Sequence, residues 1–263
     1  MSVVDTQIHP SAIVSPKARL GVGVKIGPFS VVNDDVEIGD RTELISHVVL
    51  ADGARIGADV RIYPGAVIGA EPQDLKFKGE PTLAIVGDRT VIRECVTVNR
   101  GTAISGRSTV GSDVLLMAYS HVAHECVVGD HAILVNGVQL GGHVEVGEWA
   151  IVGGLTGVHQ FCRIGAHCMI GACVKVAKDV PPYTLAGRQP LVVEGLNTVG
   201  LRRRGFTAET IADIEEFYRL LLHAGYNTSD GIKAYVEAHP VINPDVQKCI
   251  DFIHSSKRGI TRN

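Results

Sequence analysis

An aliphatic residue recurs at every sixth position through most of this 263-residue chain, and this period constrains the fold more than any other feature. Stepping by six from Ile8 to Val176 gives twenty-nine positions, and twenty-seven of them are Ile, Leu or Val. A period of six matches neither the 3.6-residue period of an amphipathic helix nor the two-residue alternation of a half-buried strand. It is typical of a repeat protein whose coils stack on one another.

Each six-residue repeat has the features of a short strand and a tight turn. The aliphatic residue is often followed by Gly, as in Val128-Gly129, and the fifth position takes a small or β-branched residue such as Ala132 or Val144. The aliphatic side chain then points inward, while Gly permits a tight backbone and the fifth residue packs at the next corner. Three repeats form one triangular coil, so residues eighteen apart are expected to stack about 4.8 Å apart. The sequence therefore predicts a β-helix.

The period fails at two positions, and both lie in the polar, proline-containing segment 71–82. We expect this segment to leave the β-helix as an outward loop, because insertions in repeat proteins map to surface loops that often bind ligands. Gln73, Asp74 and Lys76 are its candidates for contacting a polar, anionic ligand. A second outward loop, rich in Gly and Ser, is expected near residues 99–109.

The repeats end at Pro181-Pro182, and signals for helices follow. The expected helices run from Thr207, which can cap the first one, to about Ala224, from about Asp230 to His239, and from Asn243-Pro244 to about Gly259. We therefore expect a β-helix over residues 1–190 and a small C-terminal helical domain over residues 191–263.

Composition limits the class of protein. The formal net charge is −3, which argues against nucleic acid as the main partner. The first residues lead directly into repeats, without a secretory signal or an apolar run of membrane-spanning length, so we expect a cytoplasmic protein with no integral membrane segment. The six cysteines include no CxxC pair, and Cys126, Cys162 and Cys168 take the small fifth position, which favours buried thiols in a reducing compartment.

The stacking rule singles out His124 among eleven histidines. Steps of eighteen lead from His124 to Gly142 and Gln160, so an imidazole, a residue without a side chain and an amide are expected in one column. A neutral imidazole with an ordinary pKa near 6.5 can take a proton from a hydroxyl and return it to a thiol. The N–H of Gly142 can stabilise the developing oxyanion, an interaction worth about 3 kcal/mol in other enzymes. The column therefore favours acyl transfer to a hydroxyl.

Other polar residues are expected near this column. His121, His143 and His159 lie close to it in the sequence. Glu125 follows His124 directly and can orient the imidazole, although strand alternation would point its carboxylate elsewhere. The alternative is that these histidines form an exposed row along one edge of the β-helix and have no function.

The motifs around these residues resemble those of the acyl-ACP–UDP-N-acetylglucosamine O-acyltransferase family over essentially the whole chain. The matching motifs are Gln73-Asp-Leu-Lys76, Ile92-Arg-Glu-Cys-Val-Thr-Val-Asn-Arg-Gly-Thr102, His121-Val-Ala-His124-Glu125, Gly157-Val-His-Gln-Phe-Cys162 and Gly200-Leu-Arg-Arg-Arg-Gly205. The hexapeptide repeats alone identify only the acyltransferase superfamily. The resemblance implies a mainly β fold, namely a left-handed parallel β-helix followed by a small α-helical domain, and a homotrimer with active sites between neighbouring subunits.

The resemblance also implies an activity. It is the transfer of a 3-hydroxy fatty acyl group from acyl carrier protein to the 3-position of UDP-N-acetylglucosamine, the first step of lipid A biosynthesis, without a cofactor or metal. His124 is implied as the general base and the Gly142 N–H as the oxyanion donor. The residues implied in binding the sugar nucleotide are Gln73, Asp74, Lys76, His121, His143, His159, Gln160, Asn197, Arg203 and Arg204. Guanidinium groups bind phosphate in bidentate fashion, which suits the two arginines to a diphosphate.

The chain departs from the family pattern at several places. Glu125 replaces the Asp that is common after the catalytic His, which argues against a short contact between histidine and carboxylate. Val199 replaces a Glu that some members carry near the uracil, and segment 188–194 matches the best-known members poorly. Ala172 stands where long-chain members have Gly, at a position that helps to set the depth of the acyl groove. We expect it to act as an acyl-chain ruler that favours a slightly shorter chain.

Acyl carrier protein is acidic, and basic residues are frequent where the repeats end. Arg163, Lys175, Lys178, Arg188 and the run 202–204 are expected to form a docking surface for it.

Two other functions fit a β-helix. A zinc hydrolase of the γ-carbonic-anhydrase type needs three histidines converging on the metal at about 2.0–2.1 Å, and the spacing is expected to stack neither His121 nor His124 on His143. A non-enzymatic scaffold would recruit a partner through the helical tail, and changing His124 would then remove no activity.

Overall fold

The structure, a computed structural model, describes residues 5–223 and 225–262. Strands of two to five residues follow one another along the chain up to residue 196. The strands are β1 (Gln7–Ile8), β2 (Ile13–Val14), β3 (Arg19–Leu20), β4 (Lys25–Ile26), β5 (Val31–Val32), β6 (Glu37–Ile38), β7 (Glu43–Leu44), β8 (Val49–Leu50), β9 (Ala54–Ile56), β10 (Arg61–Ile62), β11 (Val67–Ala70), β12 (Leu83–Val86), β13 (Val91–Ile92), β14 (Thr97–Asn99), β15 (Arg107–Val110), β16 (Leu115–Leu116), β17 (His121–Val122), β18 (Val127–Val128), β19 (Ile133–Leu134), β20 (Gln139–Leu140), β21 (Glu145–Val146), β22 (Ile151–Val152), β23 (Gly157–Val158), β24 (Arg163–Ile164), β25 (Met169–Ile170), β26 (Lys175–Val176), β27 (Thr184–Gly187) and β28 (Val192–Leu196).

From β1 to β26 every third strand joins the same sheet, so the chain winds around a three-sided prism. Sheet A has the order β1-β4-β7-β10-β13-β16-β19-β22-β25-β27-β28, sheet B β2-β5-β8-β11-β14-β17-β20-β23-β26, and sheet C β24-β21-β18-β15-β12-β9-β6-β3. Among the described strands, the pairing is parallel except between β27 and β28, which are antiparallel. The predicted β-helix of hexapeptide repeats is confirmed.

The register follows the eighteen-residue rule wherever a coil carries no loop. His121 pairs with Gln139, eighteen residues further on. Ile68 pairs with Val98, thirty residues further on, because segment 71–82 adds twelve residues to that coil. The predicted outward loop therefore coincides with the gap between β11 and β12.

The second outward loop is shorter than predicted. It comprises residues 100–106, between β14 and β15, and it adds six residues to the eighteen that otherwise separate Val86 from its partner Val110. The two loops add twelve and six residues, both multiples of six, so neither loop shifts the register of the six-residue aliphatic period. Ile104 falls on that count, but it lies in the loop and is 72% exposed, so the period does not place it in the core.

From residue 113 to residue 173, one residue in each repeat turns the corner of the prism in the left-handed backbone conformation. Glu125, His143 and Phe161 take this position, with φ values of 58°, 61° and 63°. Side chains at such corners do not follow the in-and-out alternation of a strand. They form their own columns along the edges of the prism.

The aliphatic residue of each repeat fills the interior. Leu116, Leu134 and Ile170 are fully buried, and each such side chain stabilises the fold by about 1.5–3 kcal/mol relative to exposure. The three cysteines predicted to be buried, at the fifth positions of their repeats, are also fully buried.

Four helices follow the β-helix: α1 (Thr198–Arg203), α2 (Ala208–His223), α3 (Thr228–Ala238) and α4 (Pro244–His254). The three predicted helices are α2, α3 and α4. Thr207 caps α2 by accepting the Thr210 N–H, and Asn227 and Asn243 cap the other two. The predicted last residue of the first helix, Ala224, lies outside the described residues, and the last helix ends five residues before the predicted Gly259.

Helix α1 was not predicted, because six residues carry too little apolar periodicity to be recognised. It matters for the site, since Asn197 is its N-cap and Arg203 its last residue.

Tyr183 joins the β-helix to the helices. Its ring is buried in the helical core, and its hydroxyl donates to Asp245 Oδ1 of α4 at 2.9 Å. The division of the chain at residue 190 stays a prediction, because β28 pairs with β27 across it. Of the helices in the described ranges, none combines the length and the apolar composition needed to cross a membrane.

Candidate active site

His124 lies in the turn between β17 and β18, where sheets B and C meet. Gly142 lies against it one coil further on, and a Cβ atom on Gly142 would approach His124 Cε1 to 2.5 Å. Gln160 lines the same cavity as both of them. The structure therefore brings these three residues together as their spacing predicts. It also shows that the imidazole occupies the space that any side chain at position 142 would need.

The two hydrogen-bonding groups of the Gly142 backbone differ in whether they have a partner. Its carbonyl accepts the Phe161 N–H at 3.0 Å. Within residues 5–223 and 225–262, no acceptor takes the Gly142 N–H. A backbone donor next to His124 is therefore available to an oxygen of a bound molecule.

Glu125 contacts His124 directly, so the expectation that this Glu lacks a short contact is wrong. Glu125 Oε2 is 2.5 Å from His124 Nδ1. The other oxygen, Oε1, accepts the Thr102 backbone N–H at 2.5 Å and its hydroxyl at 2.8 Å. The reason is the corner conformation of Glu125, which turns the side chain back toward the second outward loop instead of alternating outward.

The site holds a buried carboxylate among imidazoles. Burial by itself raises the pKa of Glu125, but hydrogen bonds from Thr102 and His124 outweigh it and hold that pKa below its ordinary value. Burial and the neighbouring His124 lower the pKa of His121, and burial lowers the pKa of His143. At neutral pH, Glu125 is therefore ionised while His121 and His143 are uncharged.

His143 lies against His124, as expected from its place next to the His124 column. The two rings meet edge to face with centroids 5.3 Å apart, and His143 Nε2 is 3.9 Å from Glu125 Oε2. The reason is that His143 follows Glu125 by eighteen residues, so it occupies the corner column beside that of His124. Phe161 continues this corner column and stacks on the His143 ring at 4.4 Å.

A cavity of about 600 Å³ opens beside this column on the outer face of sheet B. Six of the residues predicted for the site line it, namely Gln73, His121, His124, Gly142, His159 and Gln160. Gln139, Gly157 and Lys175 also line it. Sequence reasoning missed the first two, and it expected Lys175 only in the docking surface for acyl carrier protein. They follow His121 at steps of eighteen, so the stacking rule applied to His121 would have found them.

Asp74 and Lys76 do not line this cavity. Asp74 Oδ1 accepts the Lys76 N–H at 2.9 Å, which shapes the loop 71–82, and Lys76 is exposed. The loop is fixed by Arg100, whose guanidinium lies 5.2 Å from the Phe77 ring and donates to Asp52 O. Contacts of Asp74 and Lys76 with a ligand stay a prediction.

Asn197, Arg203 and Arg204 line a second cavity of about 730 Å³, on sheet A. His131, Trp149 and His167 also line it, a column at steps of eighteen that sequence reasoning missed. His131 and Trp149 are stacked with ring centroids 4.1 Å apart. This cavity combines two guanidinium groups with stacked rings, which suits a ligand that carries both phosphate and a planar base.

His167 holds two of the predicted binding residues in place. Its carbonyl accepts Asn197 Nδ2 at 2.9 Å, and its Nδ1 is 3.4 Å from Arg204 Nη1. The Asn197 Oδ1 accepts the Gly200 N–H at 3.1 Å, so both ends of this amide are occupied within the fold. Arg204 also donates to Trp149 O and lies over the Trp149 ring. A direct contact of Asn197 with a ligand stays a prediction.

The predicted acyl-chain ruler lies apart from both cavities. Ala172 is exposed in the turn between β25 and β26, at the corner where sheets A and B meet. It belongs to a column at steps of eighteen, since the Cys173 N–H donates to Gly154 O and Gly154 in turn packs against Asn136 O. Its role as a ruler stays a prediction.

Known proteins resemble this chain closely. The acyl-[acyl-carrier-protein]–UDP-N-acetylglucosamine O-acyltransferase of Verminephrobacter eiseniae is 45% identical over 261 residues, which cover 98% of this chain and 100% of the relative. The enzyme of the same name from Thiobacillus denitrificans is 45% identical over 256 residues, covering 97% and 99%. The chain belongs to this acyltransferase family.

Solved structures of the family agree with the fold. The UDP-N-acetylglucosamine acyltransferase of Bacteroides fragilis has a TM-score of 0.95 at 44% identity, covering 97% of this chain and 100% of its own. The corresponding protein of Acinetobacter baumannii has a TM-score of 0.93 at 40% identity, covering 97% and 99%. The β-helix is therefore left-handed, as the family resemblance implies.

Two family models match parts of the chain. The second domain of UDP-N-acetylglucosamine O-acyltransferases matches residues 179–261, and the bacterial transferase hexapeptide repeat matches residues 107–142. Membership of an acyltransferase family supports neither the zinc hydrolase nor the scaffold.

His124, Glu125 and His143 offer possible metal-ligand atoms that lie within 4.8 Å of one another. In this acyltransferase the shortest of these distances, 2.5 Å between Nδ1 and Oε2, is that of a hydrogen bond. The third histidine that a γ-type zinc site requires does not join them among the described residues.

Proposed function

We propose that this protein transfers a fatty acyl group, expected to be 3-hydroxylated, from acyl carrier protein to the 3-hydroxyl of UDP-N-acetylglucosamine. This is the first step of lipid A biosynthesis, and it would take place in the cytoplasm. The observation that carries the proposal is the hydrogen-bonded pair His124–Glu125 beside the free N–H of Gly142. The names of the full-length relatives support the substrates.

In the proposed mechanism, His124 is the general base. The Glu125 carboxylate accepts the Nδ1–H, which leaves the Nε2 lone pair for the proton of the sugar hydroxyl. As that proton moves to Nε2, the hydroxyl oxygen bonds to the thioester carbon and the carbonyl oxygen becomes an oxyanion. The Gly142 N–H donates to this oxyanion. When the C–S bond breaks, the proton on Nε2 passes to the departing thiol, and His124 is neutral again.

Glu125 stabilises the charged form of His124 during this step. The imidazolium that forms lies 2.5 Å from a buried carboxylate. In such a water-poor environment the attraction between opposite charges is stronger than in bulk water. Neutral His121 and His143 add no competing positive charge at neutral pH.

The second cavity is the proposed site of the uridine diphosphate. Arg203 and Arg204 supply the positive charge there, and Trp149 supplies a flat surface next to Arg204. This cavity opens on sheet A, whereas the cavity of His124 opens on sheet B of the same chain. A single substrate molecule that meets both sets of residues would therefore lie between two neighbouring chains.

A homotrimer would satisfy this requirement, and the outer faces of two sheets support it. A solvated sheet face is normally polar, but long stretches here are aliphatic. These outward residues are Ile13, Val31, Val49 and Val67 on sheet B, and Val91, Leu115, Ile133, Ile151, Met169 and Leu185 on sheet A. The trimer and its interfacial active sites follow the family resemblance and are part of the proposal.

The docking surface that we propose for acyl carrier protein uses fewer of the basic residues than the sequence suggests. Arg163 is bound to Glu145 at 3.0 Å, and Arg188 to Glu194 at 2.6 Å, so their charges are largely compensated. Lys175 and Lys178 line a cavity of about 440 Å³ together with Gln189. They are the proposed contacts for an acidic carrier protein.

An assay of the purified protein tests this function. The protein is supplied with acyl carrier proteins loaded with acyl chains of several lengths, and with UDP-N-acetylglucosamine or its 3-amino analogue, and products are identified by mass spectrometry. We expect a 3-O-acylated sugar nucleotide and free carrier-protein thiol in equal amounts. Release of the thiol with only free fatty acid would indicate a hydrolase, and no turnover would indicate a scaffold.

A further inference from the structure

The second outward loop, residues 100–106, returns to the active site rather than pointing into solvent. Thr102 in this loop is 5% exposed. Both its backbone N–H and its hydroxyl donate to Glu125 Oε1, at 2.5 and 2.8 Å, and Ser105 Oγ lies 3.5 Å from the same oxygen. One oxygen of the carboxylate is thus held by the loop, and the other faces His124.

We propose that Thr102 is a positioning residue for the reaction, because it fixes the Glu125 carboxylate that orients His124. This inference rests on the proposed role of His124 as the general base. A glutamate side chain has three rotatable bonds, so its carboxylate needs an external constraint to stay in one orientation. Donors on Oε1 supply that constraint and leave Oε2 facing Nδ1.

Charge makes this contact more important than an ordinary buried hydrogen bond. The Glu125 side chain is 2% exposed, and a buried carboxylate must receive hydrogen bonds to remain charged. The groups that face it are His124, His143 at 3.9 Å, and Thr102 and Ser105 of the loop. Of the two histidines, only His124 lies within hydrogen-bonding distance of the carboxylate, so the loop provides the remaining donors.

Three variants test the inference. Thr102→Val keeps the shape and the backbone N–H but removes the hydroxyl, and Thr102→Ser restores the hydroxyl. Losing one hydrogen bond to a charged group is expected to lower kcat by about 10- to 100-fold, with KM for both substrates within about twofold of wild type because Thr102 touches neither substrate. Thr102→Ser is expected to keep most of the activity. Thr42→Val is the matched control, since Thr42 is buried and donates to Gly57 O far from the site.

A double-mutant cycle separates positioning from a structural effect. If Thr102 acts through the carboxylate, Thr102→Val lowers kcat much less in a Glu125→Gln background than in the wild type. Equal losses in both backgrounds would overturn the inference. If Thr102→Val does not fold, Thr102→Ala, which only removes atoms, takes its place in the same cycle.

His124→Ala, measured in the same assay, distinguishes this inference from the proposed function. A large loss for His124→Ala with wild-type kcat for Thr102→Val overturns the role of Thr102 and leaves the general base in place. Activity that survives His124→Ala would remove the general base itself, and the role of Thr102 with it.

Discussion

Glu125 directly follows His124 in the chain, and yet the two side chains meet, with Glu125 Oε2 2.5 Å from His124 Nδ1. Neighbours in a strand would point to opposite faces of the sheet. The contact is possible because Glu125 turns the corner of the β-helix with φ at 58°. The repeat that builds the fold therefore also builds the pair on which the proposed mechanism depends.

We expect Glu125→Gln to lower kcat by about 10- to 100-fold, because an amide cannot balance the charge of the imidazolium. Glu125→Asp should also lose activity, since a side chain shorter by one methylene cannot reach both Thr102 and His124. Glu43→Gln on the outer face of sheet A is the control. Steady-state kinetics check the prediction, and wild-type kcat in both Glu125 variants would contradict it.

Two inactive variants are expected to restore activity when they assemble together. If each site takes His124 from one subunit and Arg204 from the next, every mixed trimer of His124→Ala and Arg204→Ala chains contains one intact site of three. Random mixing makes about three quarters of the trimers mixed, and each of these has one of its three sites intact. About a quarter of wild-type activity should therefore return in a cyclic assembly. Co-expression and assay of the mixed protein check this.

The control for this experiment pairs His124→Ala with Gly142→Val. Both changes affect the same cavity of one chain, since Gly142 lies against His124. No activity should return in that mixture. Recovery in neither mixture, with both mixed proteins shown to be trimers, would place the whole site within one chain.

His167 should make the protein less stable in acid. Burial, and to a lesser degree the neighbouring Arg204, lower the pKa of His167 to about 4. In the unfolded chain this imidazole takes up a proton as the pH falls below an ordinary pKa near 6.5, whereas in the folded chain it does so only at about pH 4. The free energy of unfolding therefore decreases as the pH falls from 6.5 toward about 4. We expect His167→Phe, which keeps a ring against Tyr183, to reduce this loss by on the order of 2–3 kcal/mol.

Chemical denaturation at pH 7 and pH 4 measures this difference. His9→Phe, a change at an exposed histidine in the first coil, is the control and should leave the acid loss as it is in the wild type. An equal acid loss in His167→Phe and wild type would show that the buried imidazole is not responsible.

Much of this fold is readable from the sequence because the repeat is strict. The position of Leu116 or Leu134 in the core follows from counting in sixes, and the meeting of His124 and Gly142 follows from counting in eighteens. Counting fails where the chain leaves the coil. Ile104 fits the period but lies in a loop, because that loop happens to add six residues.

The site was only partly predictable for a related reason. Spacing gives the column in which a residue lies, but it does not give the direction of a side chain at a corner. The contacts of Glu125 and His143 with His124 depend on left-handed corner conformations that the six-residue pattern does not encode. The part played by Thr102 depends on how the second loop folds back, and a segment without periodicity gives no such information.

Ala172 is expected to shorten the preferred acyl chain slightly. By the family resemblance, its methyl group stands where long-chain members are expected to have Gly, and each methylene denied burial costs about 0.8 kcal/mol, or about fourfold in preference. Ala172→Gly should therefore move the optimum one or two carbons longer, about the space of one methyl group. The check is the ranking of kcat/KM over acyl carrier proteins of increasing chain length, and an identical ranking in both proteins would place the ruler elsewhere.

The role of His124 as the general base is tested most directly by measuring kcat of His124→Ala with acyl carrier protein and UDP-N-acetylglucosamine. The assay follows thiol release and sugar acylation together, and thermal unfolding of the variant confirms an intact fold. Loss of a general base is expected to lower kcat for both products by about 10²–10⁴-fold, with a melting temperature close to that of the wild type. A kcat within a few-fold of wild type would remove His124 from the mechanism.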